Sequence, residues 1–176
     1  QSKLPKKRSL GFGSAKNRTA EQTIKAQEFA RDLLKSFSDQ AVICFTDGAC
    51  MKNPGPAGLG VLLHFPDGSQ KEHHRFLGNA TNNVAELSAI GDALELVLEH
   101  EQYKNVPIEV LTDSQYSNGV LTKNWKAKAN RSLVVKVRAL LKKNKNIRIH
   151  WVAGHAGISG NERADELANK AIEESK

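Results

Sequence analysis

Apolar residues along the chain first change their spacing near residue 40. Ahead of that point Ala26, Phe29, Ala30, Leu33 and Phe37 recur at the steps of one helix face, and Thr19 with Gln22 carries the signature of a capping box. From Ala41 the apolar runs shorten. "AVICFT" and "AGLGVLLHF" read as strands and "SQKEHHRFLG" as a third, more exposed one, with Pro66-Asp67-Gly68 as a hairpin signal between the last two. "NVAELSAIGDALELVLEH" returns to helical spacing, its stripe formed by Leu87, Ile90, Leu94 and Val97. After Pro107, "IEVLT" reads as a buried strand. "SNGVLTKNW" and "RSLVVKVRALLKK" are helical, "IRIHWVAG" is a last strand, and "NERADELANKAI" is a last helix with Ala164, Leu167, Ala168, Ala171 and Ile172 on one face. A meander of strands followed by alternating strands and helices predicts an α/β fold, one mixed sheet with helices on its faces.

Charge divides the chain at the same place. Residues 1–40 hold nine Lys/Arg and four Asp/Glu, while residues 41–176 hold seventeen and fifteen, within a total of +7. "QSKLPKKRSLGFGSAKNR" is basic and poor in apolar residues, so residues 1–18 read as a flexible arm. Residues 19–40 read as a helix and linker, and 41–176 as the folded domain. "KLPKKR" has the composition of a short nuclear import signal. No apolar run reaches membrane-span length and no secretory pattern opens the chain, so the expected location is intracellular, cytoplasmic or nuclear. Cys44 and Cys50 are too few for a disulfide framework, and their spacing fits no zinc site.

The chemistry lies in four acids. "FTDG" and "LTDS" both end an apolar run with Thr-Asp, at Asp47 and Asp113. Glu86 stands early in the long helix beside its apolar stripe, and Asp165 stands early in the last helix one turn before Ala168. An Asp after a strand is an ordinary turn residue, and an acid near a helix start is ordinary too. Their repetition at element ends points to a cluster. Clustered carboxylates repel one another and must take up protons or a cation, and all-oxygen ligation suits Mg²⁺ or Mn²⁺. Two such ions serve phosphoryl transfer, and the basic surroundings then suit a nucleic-acid backbone.

"FTDGACMKNPGPAGLG", "TNNVAEL", "LTDSQY" and "WVAGHAGISGNERADELA" resemble, in order and spacing, the signature blocks of type 1 ribonuclease H, over about residues 41–174. The resemblance implies a five-stranded mixed sheet, three antiparallel strands then parallel ones, flanked by helices. It implies an endonuclease that hydrolyses the RNA strand of RNA–DNA hybrids with two Mg²⁺ ions, Mn²⁺ as substitute, leaving 5′-phosphate and 3′-hydroxyl ends. Asp47 is similar to the aspartate that bridges both ions. Glu86 and Asp113 resemble ligands on the leaving-group side, and Asp165 the ligand on the side of the attacking water. His155 resembles a loop histidine tied to proton transfer or product release. Asn53, Asn82, Asn83 and Gln115 match positions that touch the hybrid's minor groove, where amides can read a 2′-hydroxyl. Thr81 and Asn130 resemble residues that hold a DNA phosphate.

The chain departs from the family pattern in three places. "NWKAKANRSLV" lacks the longer basic protrusion of many members, Asn79 stands where many carry Arg, and residues 1–40 do not resemble the hybrid-binding domain of many eukaryotic members. Residues 123–148 hold ten Lys/Arg and no acid, and Lys123, Lys126 and Lys128 beside Trp125 are expected to grip DNA phosphates in place of the protrusion. Three readings stand at this level: a monomeric nuclease acting on RNA–DNA hybrids away from membranes, a non-catalytic module of the same fold that grips hybrids, and a ribonuclease H domain of a retroelement polyprotein.

Overall fold

The computed structural model describes residues 11–176. The import-like "KLPKKR" and most of the expected arm lie outside the described residues. Helix α1 (Ala20–Ser36) comes first, followed by strands β1 (Val42–Cys50), β2 (Gly55–His64) and β3 (Gln70–Ala80). Then come α2 (Asn82–Leu98), β4 (Ile108–Thr112), α3 (Gln115–Thr122), α4 (Arg131–Leu141), β5 (Ile147–Trp151) and α5 (Ser159–Glu174). The strands form one sheet in the order β3-β2-β1-β4-β5. β1, β2 and β3 pair antiparallel, whereas β1–β4 and β4–β5 are parallel. This is the mixed sheet the sequence pattern predicts.

Alternation along each strand divides the core into two layers. Val42 and Cys44 of β1, Ile108 and Val110 of β4, and Leu59, Val61 and Leu63 of β2 bury against Leu87, Ile90 and Leu94 of α2 and Val134 and Val137 of α4. On the opposite face Phe45, Leu62 and Leu111 bury with Ala30 of α1 and Ala164 of α5. Small residues set the spacing there: Gly58 and Gly60 leave β2 bare, so the α5 backbone at Ala164 and Ala168 comes down on it. β4, central between β1 and β5, is buried throughout. Its Glu109 carries a charge into that interior and is paired by Arg148 and His150 of β5.

The N-terminal segment is part of this packing. Thr19 caps α1 by accepting from the Gln22 N–H, while the Gln22 side chain accepts from the Thr19 N–H, the capping box expected from sequence. Within the stretch expected to be flexible, Phe12 is buried and lies parallel to Trp151 with ring centroids 6.3 Å apart. A single aromatic residue supplies the apolar area that an otherwise polar arm lacks. The helix expected over "SNGVLTKNW" stops early, at Thr122. Asn124 adopts a left-handed φ of 51°, which ends the helix and turns Trp125 back over Gly119.

Candidate active site

Strand register brings the first two acids together. Phe45 of β1 stands opposite Leu111 of β4 in a parallel pair, so Asp47 and Asp113, each two residues further on, leave the sheet side by side. β1 does not end at Asp47. It runs on to Cys50 against β2 alone, and Asp47 lies just beyond the point where its β4 partner runs out. The two threonines lock these ends. Thr46 Oγ1 donates to the Leu111 carbonyl at 2.8 Å, and Thr112 Oγ1 accepts from the Ser114 N–H at 3.1 Å. A hydroxyl on a buried strand thus satisfies backbone groups where pairing gives out.

Helix α2 brings the third acid. Gly48 makes this possible, because a Cβ there would lie 2.5 Å from the Glu86 backbone nitrogen. Ligand oxygens of Asp47, Glu86 and Asp113 lie within 4.8 Å of one another. Asp165 on α5 stands apart from that tight group but lines the same cleft as Asp47 and Asp113, together with His155. All four acids singled out in the sequence therefore reach one place, three as a close cluster and Asp165 beside Asp47.

Burial and mutual repulsion shape their charge. Burial first, then the charges of Asp113 and Asp165, push the Asp47 carboxyl up to about 8. Burial, reinforced by Asp47 and Asp113, raises Glu86 well above the usual carboxylate range. Asp113 is raised by burial, against the opposing pull of a Glu86 hydrogen bond and the His155 charge. Glu86 Oε2 is buried and has no hydrogen-bond partner among the described residues. Oxygen donors packed this closely, with raised proton affinity and an orphaned buried oxygen, are chemically suited to a hard divalent cation that displaces the protons.

Two cleft residues escaped the sequence reading. Asn161 and Glu162 line the cleft from the first turn of α5, and Asn161 Oδ1 is buried without a partner among the described residues. The signal was present: Asn161 stands four residues before Asp165, which places both on one helix face.

The predicted substrate contacts fall into two groups. Asn53 Oδ1 accepts from the Asn82 N–H at 3.1 Å, and Thr81 Oγ1 caps α2 by accepting from the Val84 N–H. Asn53, Thr81, Asn82 and Asn83 are thus assembled at the start of the helix that carries Glu86, with Asn82 and Asn83 exposed. Gln115 is the exposed first residue of α3, just after Asp113. Asn130, left-handed at φ 57°, donates to the Tyr116 hydroxyl at 3.4 Å and starts α4. Between these helices Lys123, Lys126 and Lys128 are exposed on a loop and form no ion pair among the described residues.

Known proteins resemble this arrangement in sequence and in fold. The RNase H family model matches residues 39–173. A ribonuclease H of Bradyrhizobium sp. (strain ORS 278) is 41% identical over 144 residues, covering 74% of this chain and 89% of its own. One from Francisella tularensis subsp. novicida is 39% identical over 146 residues, covering 76% and 91%. Among solved structures, RNase H1 from the archaeon Halobacterium salinarum NRC-1 superposes with a TM-score of 0.65 at 36% identity, covering 76% of this chain and 98% of its own. LC11-RNase H1, solved in complex with an RNA/DNA hybrid, gives 0.67 at 30% identity over 76% and 98%. Among the described residues no helix is long and apolar enough to cross a membrane. The family match spans every strand of the sheet and every acid of the cleft, and on that basis this chain belongs to the RNase H family.

Proposed function

We propose that this protein hydrolyses the RNA strand of RNA–DNA hybrids with two divalent cations, Mg²⁺ in the first place and Mn²⁺ as a substitute, leaving 5′-phosphate and 3′-hydroxyl ends. The observation that carries the reading is the convergence of Asp47, Glu86 and Asp113 within 4.8 Å. Asp47, Glu86 and Asp113 would hold one ion, and Asp47 with Asp165 the other. Asp47 is the natural shared ligand, since it interacts with Glu86, Asp113 and Asp165 alike. Such ions supply a nucleophile at neutral pH and neutralise charge on the leaving oxygen.

The chain's own groups do the remaining work. The buried walls formed by β1, β4 and α2 fix the carboxylates before substrate arrives, so little reorganisation is needed. His155 stands exposed in the cleft lining, where its imidazole can pass a proton to or from the departing strand. Asn53, Asn82, Asn83 and Gln115 offer both donors and acceptors to a 2′-hydroxyl, which selects the RNA strand. Thr81, Asn130, Lys123, Lys126 and Lys128 hold the backbone of the DNA strand. The hybrid bound by LC11-RNase H1 supports this substrate class.

The test is cleavage of matched RNA–DNA, RNA–RNA and DNA–DNA duplexes with and without Mg²⁺, with end-group analysis of the products. Selective, Mg²⁺-dependent cutting of the hybrid is expected. Hybrid binding without any cutting would replace the reading with that of a non-catalytic module.

A further inference from the structure

His155 lies in the loop between β5 and α5, residues 152–158. Its backbone is left-handed, φ 54°, a conformation that an L-residue keeps only where its surroundings over-determine it. Much of what surrounds it comes from the segment ahead of the sheet. Ala153 and Ala156, on either side of His155, bury with Phe12 and Ala26. Val152 and Ile158, at the ends of the loop, bury with Ala30 against Leu33, Leu34 and Phe37.

One side chain ties this packing to the peptide that enters His155. Arg18 Nη1 donates to the Gly154 carbonyl at 3.0 Å, while its Nε donates to the Phe12 carbonyl at 2.9 Å. That Gly154 carbonyl belongs to the peptide bond joining Gly154 to His155. On its other side the same residue backs onto the acids, for a Cβ at Gly154 would lie 2.8 Å from Asp113 Oδ2. Arg18 therefore bridges the N-terminal segment and the part of the loop that touches the cleft. The family match begins only at residue 39, so it accounts for neither Phe12 nor Arg18.

We propose that Arg18 is a positioning residue for His155: with Phe12 and α1 it clasps the β5–α5 loop and holds the imidazole at the acidic cleft. The proposal rests on the nuclease reading above for its kinetic consequence, though not for its structural one. Five proteins test it, wild type, Arg18→Ala, Arg18→Lys, His155→Ala and the Arg18→Ala/His155→Ala double variant. Each is checked for folding by circular dichroism, then assayed on an RNA–DNA hybrid with Mg²⁺. Arg18→Ala should lower kcat about 5- to 50-fold, the size of one charge-assisted hydrogen bond partly replaced by water. KM should stay within about twofold, because Arg18 acts on a proton carrier and not on backbone grip. In the His155→Ala background the same change should cost less than about twofold. Arg18→Lys should recover part of the rate, since an ammonium can still reach one carbonyl.

An equal loss in both backgrounds would overturn the proposal, as would an unchanged kcat in folded Arg18→Ala. Amide hydrogen exchange supplies a readout that needs no activity. Residues 153–158 should exchange faster in Arg18→Ala than in wild type, and unchanged protection also overturns the clasp. A wild-type protein that cuts no hybrid would instead overturn the nuclease reading, leaving exchange to decide on the clasp.

Discussion

Replacing Asp47 by Asn should make the cation-free protein more stable at pH 8 while abolishing its response to Mg²⁺. Burial and the charges of Asp113 and Asp165 hold the Asp47 carboxyl up at about 8. In the unfolded chain the same group ionises as an ordinary aspartate. Between those two values the folded state binds the extra proton, so stability is full below about pH 4 and falls as pH rises toward 8. Each step of one pKa corresponds to about 1.4 kcal/mol, so the gap sets a ceiling of about 5–6 kcal/mol above pH 8. Residual solvent access and protons shared with Glu86 and Asp113 reduce this to about 1–3 kcal/mol. Asn keeps the shape and can still accept the 2.9 Å hydrogen bond from the Gly48 N–H, but carries no charge. For a chain of this size the gain corresponds to about 2–12 °C in Tm. Thermal melts of both proteins in a chelator, at pH 5 and pH 8, measure it. The variant should melt higher at pH 8, with the difference shrinking toward pH 5. Saturating Mg²⁺ should then raise the wild-type Tm and leave the variant nearly unmoved. A variant that is no more stable than wild type at pH 8 would refute the electrostatic reasoning.

Asp113→Asn should abolish Mg²⁺-dependent cleavage while hybrid binding survives or tightens, measured by a gel assay beside equilibrium binding, because the amide removes the charge a hard cation needs. His155→Ala should slow turnover by about 10²- to 10⁴-fold at most without eliminating it, and single-turnover and steady-state rates that are both unchanged would reduce the residue to loop filler. Gly48→Ala should cost cleavage and stability together, because the added methyl meets the backbone of α2 rather than a flexible side chain; calorimetry and the cleavage assay would both register it. Changing Lys123, Lys126 and Lys128 together to Ala should flatten the slope of log affinity against log salt by roughly one to three units, with the maximal rate little altered.

The elements and the acids were legible in the chain because their signals are local. Period-two and helical spacing report which face of a segment will be buried, and Asp47, Glu86, Asp113 and Asp165, each ordinary by itself, drew notice by their repetition at element ends. What the four residues amount to is not local. Only the parallel register of β1 with β4 sets Asp47 beside Asp113, and only the bare Gly48 lets α2 bring Glu86 against them. The raised proton affinities follow from that proximity and burial, so no stretch of sequence contains them. The same limit explains the misses. Residues 11–18 look like a solvated arm because a single buried phenylalanine has no period to detect. "SNGVLTKNW" looks helical to its end because nothing local tells that Trp125 will fold back over Gly119. Sequence patterns determined which faces wanted burial. The tertiary structure decided what each face met, since contact between distant residues depends on how whole elements pack.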